Sequence, residues 1–135
     1  MIGITDKPIL PELVIDKVKT DSSGCVLAYV GLIREYSRGK PVLSVEYKDP
    51  KGTAEDSLRE IASEVRQKWQ LDSIAIYHRI GKLRVGDINL VIAVASAHRQ
   101  EGFAACHYAI DRFKQKIPTH KTETYQDGSI WVEGE

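Results

Sequence analysis

Val91 to Glu123, VIAVASAHRQEGFAACHYAIDRFKQKIPTHKTE, decides how this chain is read. It opens as a strand, breaks at Ser96-Ala97-His98-Arg99 and continues as an amphipathic helix. Phe103, Cys106, Ile110, Phe113 and Ile117 recur at spacings of three and four, which is one face of a helix. Pro118 ends that helix, because a proline donates no backbone hydrogen bond. Lys114 falls roughly 40° from Ile110, on the side of His107 and at the edge of the apolar stripe. A lysine there either snorkels out of the core or lines a cavity. With His98 and Arg99 before the helix and His120 and Lys121 after it, up to five cationic or titratable groups can meet around one pocket. Such a cluster suits an anion.

The bulk numbers bound the function. The 135 residues have the length of one ordinary domain, and we expect residues 1–135 to form a single one. Nineteen basic and nineteen acidic side chains give no net charge, which argues against a nucleic-acid coat. Only 7% of residues are aromatic, so a stacking RNA-binding sheet is not expected either. No apolar run approaches the ~20 residues of a membrane span, and no signal-peptide apolar region is evident. Cys25 and Cys106 lie far apart, as reduced thiols of a cytoplasmic protein would.

Working outward, residues 1–10 read as an edge strand or arm, and Pro11 opens a short helix. Cys25 to Ile33 is an apolar strand running into Arg34 and a polar loop with Arg38 and Lys40. Those two cations read as solvated, whereas Arg34 sits at the strand end, where it is better positioned. Val42 to Lys48 alternates and is expected to pair with that strand as a hairpin. Thr53 and Asp56 suggest a capping box before a helix with the stripe Ala54, Leu58, Ile61, Ala62, Val65 and Trp69. Further strands follow at Ile74 to Ile80, Lys82 to Val85 and Ile88 to Ala95, with a closing strand at Ser129 to Val132. The Glu133-Gly134-Glu135 end is expected to fray. His78 reads as a structural or surface histidine, and His107 as packed beside Lys114. This order argues an α+β domain: a largely antiparallel sheet with helices packed on it, on one face.

No phosphate loop, dinucleotide fingerprint or nucleophile elbow is present, and the four histidines lack zinc-site spacing. No metal and no bound cofactor are expected. What remains is a cationic pocket: arginine grips phosphate through paired hydrogen bonds, and a partly desolvated lysine becomes an acid or base near neutral pH. On composition alone, ordinary solvated charges explain these residues equally well.

The succession YVGLIRE, VLSVEY, YHRIGKLRVGD, the quoted stretch and a terminal DGSIWVEG resembles the MoaE family, the large catalytic subunits of molybdopterin synthase. The resemblance runs from about Gly24 to Val132 and implies the α/β hammerhead fold of that family. It also implies a homodimer within a heterotetramer, whose partner is a small ubiquitin-like sulfur-carrier subunit ending in a Gly-Gly thiocarboxylate. Sulfur would pass from that tail to cyclic pyranopterin monophosphate, forming the dithiolene of molybdopterin, with neither nucleic acid nor membrane involved. Carried over by position, Lys114 and Lys121 would be the catalytic lysines. Leu32, Ile33, Arg34, His98, Arg99, Thr122 and Glu123 would join both lysines in binding substrate. Family members often carry an aromatic before the second lysine and a basic residue after it, where this chain has His120 and Thr122. The alternative is a non-catalytic adaptor of the same fold that docks a Gly-Gly tail, for which a second pocket lysine would be superfluous.

Overall fold

A computed structural model describes residues 1–116 and 118–133. Its organising strand is β7 (Ile88–Ser96), buried along nearly its whole length. Leu90, Ile92 and Val94 enter one apolar cluster and Val91, Ala93 and Ala95 another, so both faces of the strand are covered. A strand covered on both sides needs a continuous apolar run, which INLVIAVAS supplies. It pairs antiparallel with β2 (Cys25–Leu32) and with β5 (Ser73–Arg79), and β5 pairs in parallel with β1 (Ile2–Thr5). The sheet order is β1-β5-β7-β2, which leaves β2 at an edge.

Helices cover both faces of this sheet, not the single face expected. The helix α1 (Pro11–Val18) sets Val14 and Val18 against one side. The other side receives α2 (Ala54–Lys68) and α3 (Arg99–Gln115). The α2 stripe is as the spacing predicts, and burying Leu58, Ile61 and Val65 contributes about 1.5–3 kcal/mol each. The capping box does not form. Thr53 makes no side-chain cap, and the Ala54 amide donates to Asp49 Oδ2 instead, at 3.4 Å. On α3 the buried line is Gly102, Ala105, Cys106, Ala109 and Phe113, while Phe103 faces outward. The glycine and alanines let α3 lie close to the sheet, which rotates Phe103 off the core. Ile117, the last residue of the expected stripe, lies outside the described residues.

The second sheet contains β3 (Tyr36–Ser37), β4 (Lys40–Lys48), β8 (His120–Tyr125) and β9 (Ile130–Glu133) in that order, with β6 (Gly81–Arg84) also on β4. The expected hairpin between β2 and β4 is absent: β2 pairs with β7, and β4 with β3, β6 and β8. The chain changes sheets at Ile33, whose amide donates to the Asp87 carbonyl at 3.0 Å while its carbonyl accepts from Gly86 at 2.9 Å. Val42, Val45, Tyr47, Leu83 and Tyr125 build the second core. Glu133 ends β9, and the remainder of the expected frayed end, Gly134 and Glu135, lies outside the described residues.

Candidate active site

Where the two sheets meet, a cleft of about 500 Å³ opens. The end of β2 and the two residues beyond it supply Gly31, Leu32, Ile33 and Arg34; β8 supplies Lys121 and Glu123, and the last turn of α3 supplies Phe113 and Lys114. Each cation has a backbone reason for its place. The hydrogen-bonded turn at Ile33 holds the backbone beside Arg34. Lys114 lies near the helix C-terminus, where the exposed carbonyls favour positive charge. Lys121 and Glu123 are two apart on a strand and so share a face. Among the described residues neither Arg34 nor Lys114 makes an ion pair.

Glu123 is the buried acid of the cleft. Its Oε1 accepts from the Tyr125 hydroxyl at 2.6 Å and the Ser37 hydroxyl at 2.8 Å, and Oε2 lies 3.2 Å from Lys121 Nζ. Burial pushes its carboxyl up, but the two hydroxyls and the Lys121 charge together outweigh burial and hold it below the ordinary range. It therefore stands ionised and fixes the Lys121 ammonium. Burial and the adjoining Glu123 carboxylate in turn push the Tyr125 phenol up.

Behind the lining residues Tyr47, Asn89 and Phe113 lies a polar network centred on His78, the histidine that the sequence reads as structural or surface. His78 is fully buried, with Nδ1 2.8 Å from the Asn89 carbonyl and Nε2 2.9 Å from Thr119 Oγ1. A carbonyl only accepts, so Nδ1 carries the proton and Nε2 accepts from the Thr119 hydroxyl. The ring packs edge-on against Tyr47 and Phe113, and burial pushes its pKa down. Thr119 lies between Lys114 and Lys121, so this bond pins the connection that carries both lysines. The Asn89 amide in turn donates from Nδ2 to the Tyr47 hydroxyl at 3.0 Å.

Of the nine residues expected at the site, six line the cleft: Leu32, Ile33, Arg34, Lys114, Lys121 and Glu123. Thr122 does not, because strand alternation turns it to the opposite face from Lys121 and Glu123. His98 and Arg99 are exposed at the start of α3, fifteen residues before Lys114 and so ~22 Å along the helix axis. One chain therefore does not assemble all the cations expected around one pocket. His107 does not pack beside Lys114 either; it is exposed, with Nε2 3.3 Å from Asp111. Cys25 and Cys106 are both free thiols. Among the described residues no three His, Cys, Asp or Glu side chains are placed to hold a metal, and no helix is long and apolar enough to cross a membrane.

Comparison with known proteins bears on this geometry. The sequence model of the MoaE protein family matches residues 4–116. The molybdopterin synthase catalytic subunit of Bacillus subtilis is 40% identical over 129 residues, spanning 96% of this chain and 82% of that protein. The human protein of the same description is 37% identical over 131 residues, spanning 97% of this chain and 70% of its own. Among solved structures, molybdopterin synthase from Staphylococcus aureus superposes with a TM-score of 0.91 at 33% identity, covering 99% of this chain and 97% of that one. A complex of subunits 1 and 2 of the Helicobacter pylori molybdopterin-converting factor shares the fold, with a TM-score of 0.77 at 11% identity, covering 98% of this chain and 90% of that chain. The α+β fold, the family model and relatives of one description over nearly the whole chain agree: this chain belongs to the MoaE family.

Proposed function

We propose that the cleft transfers sulfur from the C-terminal thiocarboxylate of a small ubiquitin-like subunit to cyclic pyranopterin monophosphate, building the dithiolene of molybdopterin. The observation that carries this reading is the convergence of Arg34, Lys114 and Lys121 on one cleft, beside a carboxylate that fixes only Lys121. Substrate phosphate and thiocarboxylate are both anions, and fixed cations lower the cost of bringing them together. In this reading Arg34 grips phosphate, while Lys114 and Lys121 stabilise the acyl intermediate and move protons. Leu32, Ile33 and Glu123 shape the channel for the Gly-Gly tail. Relatives described as catalytic subunits favour this reading over the adaptor.

His98 and Arg99 then act from a second copy of the chain. The β2 strand is an edge strand flanked by exposed apolar side chains, Val30 and Leu32 on it and Phe103 beside it. Antiparallel pairing of two such strands about their middle sets Cys25 of one opposite Leu32 of the other. Cys25 is in register with Ser96, two residues before His98. Each copy would thus present His98 and Arg99 to its neighbour's Arg34. In this reading residues 1–135 work as one domain in the cytoplasm, as a homodimer that binds two small subunits, and Thr122 contributes only through its backbone.

The test supplies purified protein with thiocarboxylated small subunit and cyclic pyranopterin monophosphate. Dithiolene product supports the reading; small-subunit binding without product would leave the adaptor.

A further inference from the structure

We infer that Thr119, held by His78, is a positioning residue for Lys121, and that their hydrogen bond sets the spacing of the two cleft lysines. This rests on the reading above and names what aligns its reacting groups. The two lysines ride on different layers. Lys114 belongs to α3, which packs on the first sheet, and Lys121 to β8, a strand of the second. Their separation therefore depends on how firmly the layers are joined. Among the described residues two side-chain hydrogen bonds tie strands of the first sheet to the second sheet or to the residue entering it. One links His78 Nε2 and Thr119 Oγ1 at 2.9 Å; the other runs from Asn89 Nδ2 to the Tyr47 hydroxyl at 3.0 Å. His78 touches both ties. Its Nδ1 donates to the Asn89 carbonyl at 2.8 Å, and its ring centroid lies 4.9 Å from that of Tyr47.

This clamp meets the chain next to each lysine. Phe113, with its ring centroid 5.1 Å from that of His78, immediately precedes Lys114, and Thr119 stands two residues before Lys121. The Lys114 end has other anchors. Ala105, Ala109 and Phe113 pack into the first core, and Glu64 holds Arg112 at 2.8 Å. The Lys121 end depends more on the clamp, because pairing with β4 and β9 fixes β8 within the second sheet and not against the first. His78 is 0% exposed and Thr119 2%, so water cannot take over the bond between them. Loss of the Thr119 hydroxyl frees the start of β8 to shift, and a misplacement of about 1 Å at a reacting centre costs on the order of a hundredfold in rate.

The experiment uses full-length Thr119→Val, which keeps the shape and removes the hydroxyl, and Thr119→Ser, which keeps the hydroxyl. The side-chain ammonium resonance of Lys121 is followed by NMR in protein with nitrogen-labelled lysine, and is assigned by its loss in Lys121→Ala. Single-turnover dithiolene formation is measured with thiocarboxylated small subunit and cyclic pyranopterin monophosphate, and small-subunit affinity by calorimetry. The inference expects Thr119→Val to shift the Lys121 resonance and to slow sulfur transfer about tenfold or more at unchanged small-subunit affinity, and Thr119→Ser to restore both. Thr119→Val combined with Lys121→Ala should be no slower than Lys121→Ala alone, because the hydroxyl acts through that lysine. An unmoved resonance, a wild-type rate in Thr119→Val, or equal losses in Thr119→Val and Thr119→Ser overturns the inference. If Thr119→Val does not fold, Thr119→Ala replaces it in every comparison. A wild-type protein that forms no dithiolene removes the catalytic reading, and the Lys121 resonance alone then decides the inference.

Discussion

Lys121 Nζ stands 3.2 Å from the buried Glu123 carboxylate, two residues along the same strand, whereas Lys114 across the cleft makes no ion pair among the described residues. The two lysines are therefore not equivalent. One is held by a fixed negative charge; the other has none beside it among the described residues.

The first prediction concerns Glu123. Its carboxyl titrates below the ordinary 4.5 in the folded chain, so the unfolded chain takes up the proton first as pH falls. The stability it supplies is complete above the ordinary value and is lost as pH drops through the folded one. Glu123→Gln should lower stability by about 1–3 kcal/mol at pH 7, and the deficit should shrink in acid. Urea unfolding of both proteins from pH 7 to pH 3 measures this.

His78 gives the opposite end of the pH range. Burial holds the folded imidazole below its ordinary 6.5, so only the unfolded chain gains a proton just below that pH. Stability is therefore full above 6.5 and falls beneath it until the folded value is reached. His78→Gln should cost about 1–3 kcal/mol at pH 8, through the Thr119 and Asn89 contacts. Between pH 6.5 and 5 it should lose less than wild type, by up to ~1.4 kcal/mol per pH unit. Thermal melts across that interval decide the point.

At Gly31 an alanine would set its Cβ 2.8 Å from Asn89 Oδ1 and 3.3 Å from Tyr29 Cε2. Gly31→Ala should cost about 1–3 kcal/mol of stability by overpacking and cut kcat/KM about tenfold or more. An unimpaired kcat/KM would show that the close packing of Gly31 on Asn89 does not set the shape of the cleft.

Sharing of the site between copies is tested by mixing. Arg99→Ala and Lys114→Ala proteins should each be poorly active. Co-refolded in equal amounts, they should recover about a quarter of wild-type activity, since half the dimers hold one intact site of two. No recovery would place Arg99 outside the neighbour's cleft.

How much of this was legible in the sequence follows from what each residue faces. The α2 stripe and β7 could be read because their apolar pattern reports burial. The strand β8 could not: HKTETY directs Lys121, Glu123 and Tyr125 inward, so its core face looks as polar as its solvent face. Pairing of β2 with β4 followed from adjacency, but β2 finds β7 instead across more than fifty residues. Phe103 was assigned to the core by spacing, yet small residues on α3 draw a different line against the sheet. Lys114 and Lys121 stood out by position, at the edge of the α3 stripe and just past Pro118, and the family motif supplied their expected role; Tyr47 and Asn89 carried no signal because each reads as an ordinary strand residue.

The account turns on Lys114, which is exposed and unpaired among the described residues, so Lys114→Ala should stay within about 0.5 kcal/mol of wild-type stability. The decisive measurement is single-turnover dithiolene formation by wild type and this variant, with thiocarboxylated small subunit and cyclic pyranopterin monophosphate. The account predicts a loss of about a hundredfold or more in rate with small-subunit binding retained. A Lys114→Ala protein that transfers sulfur at the wild-type rate would contradict it.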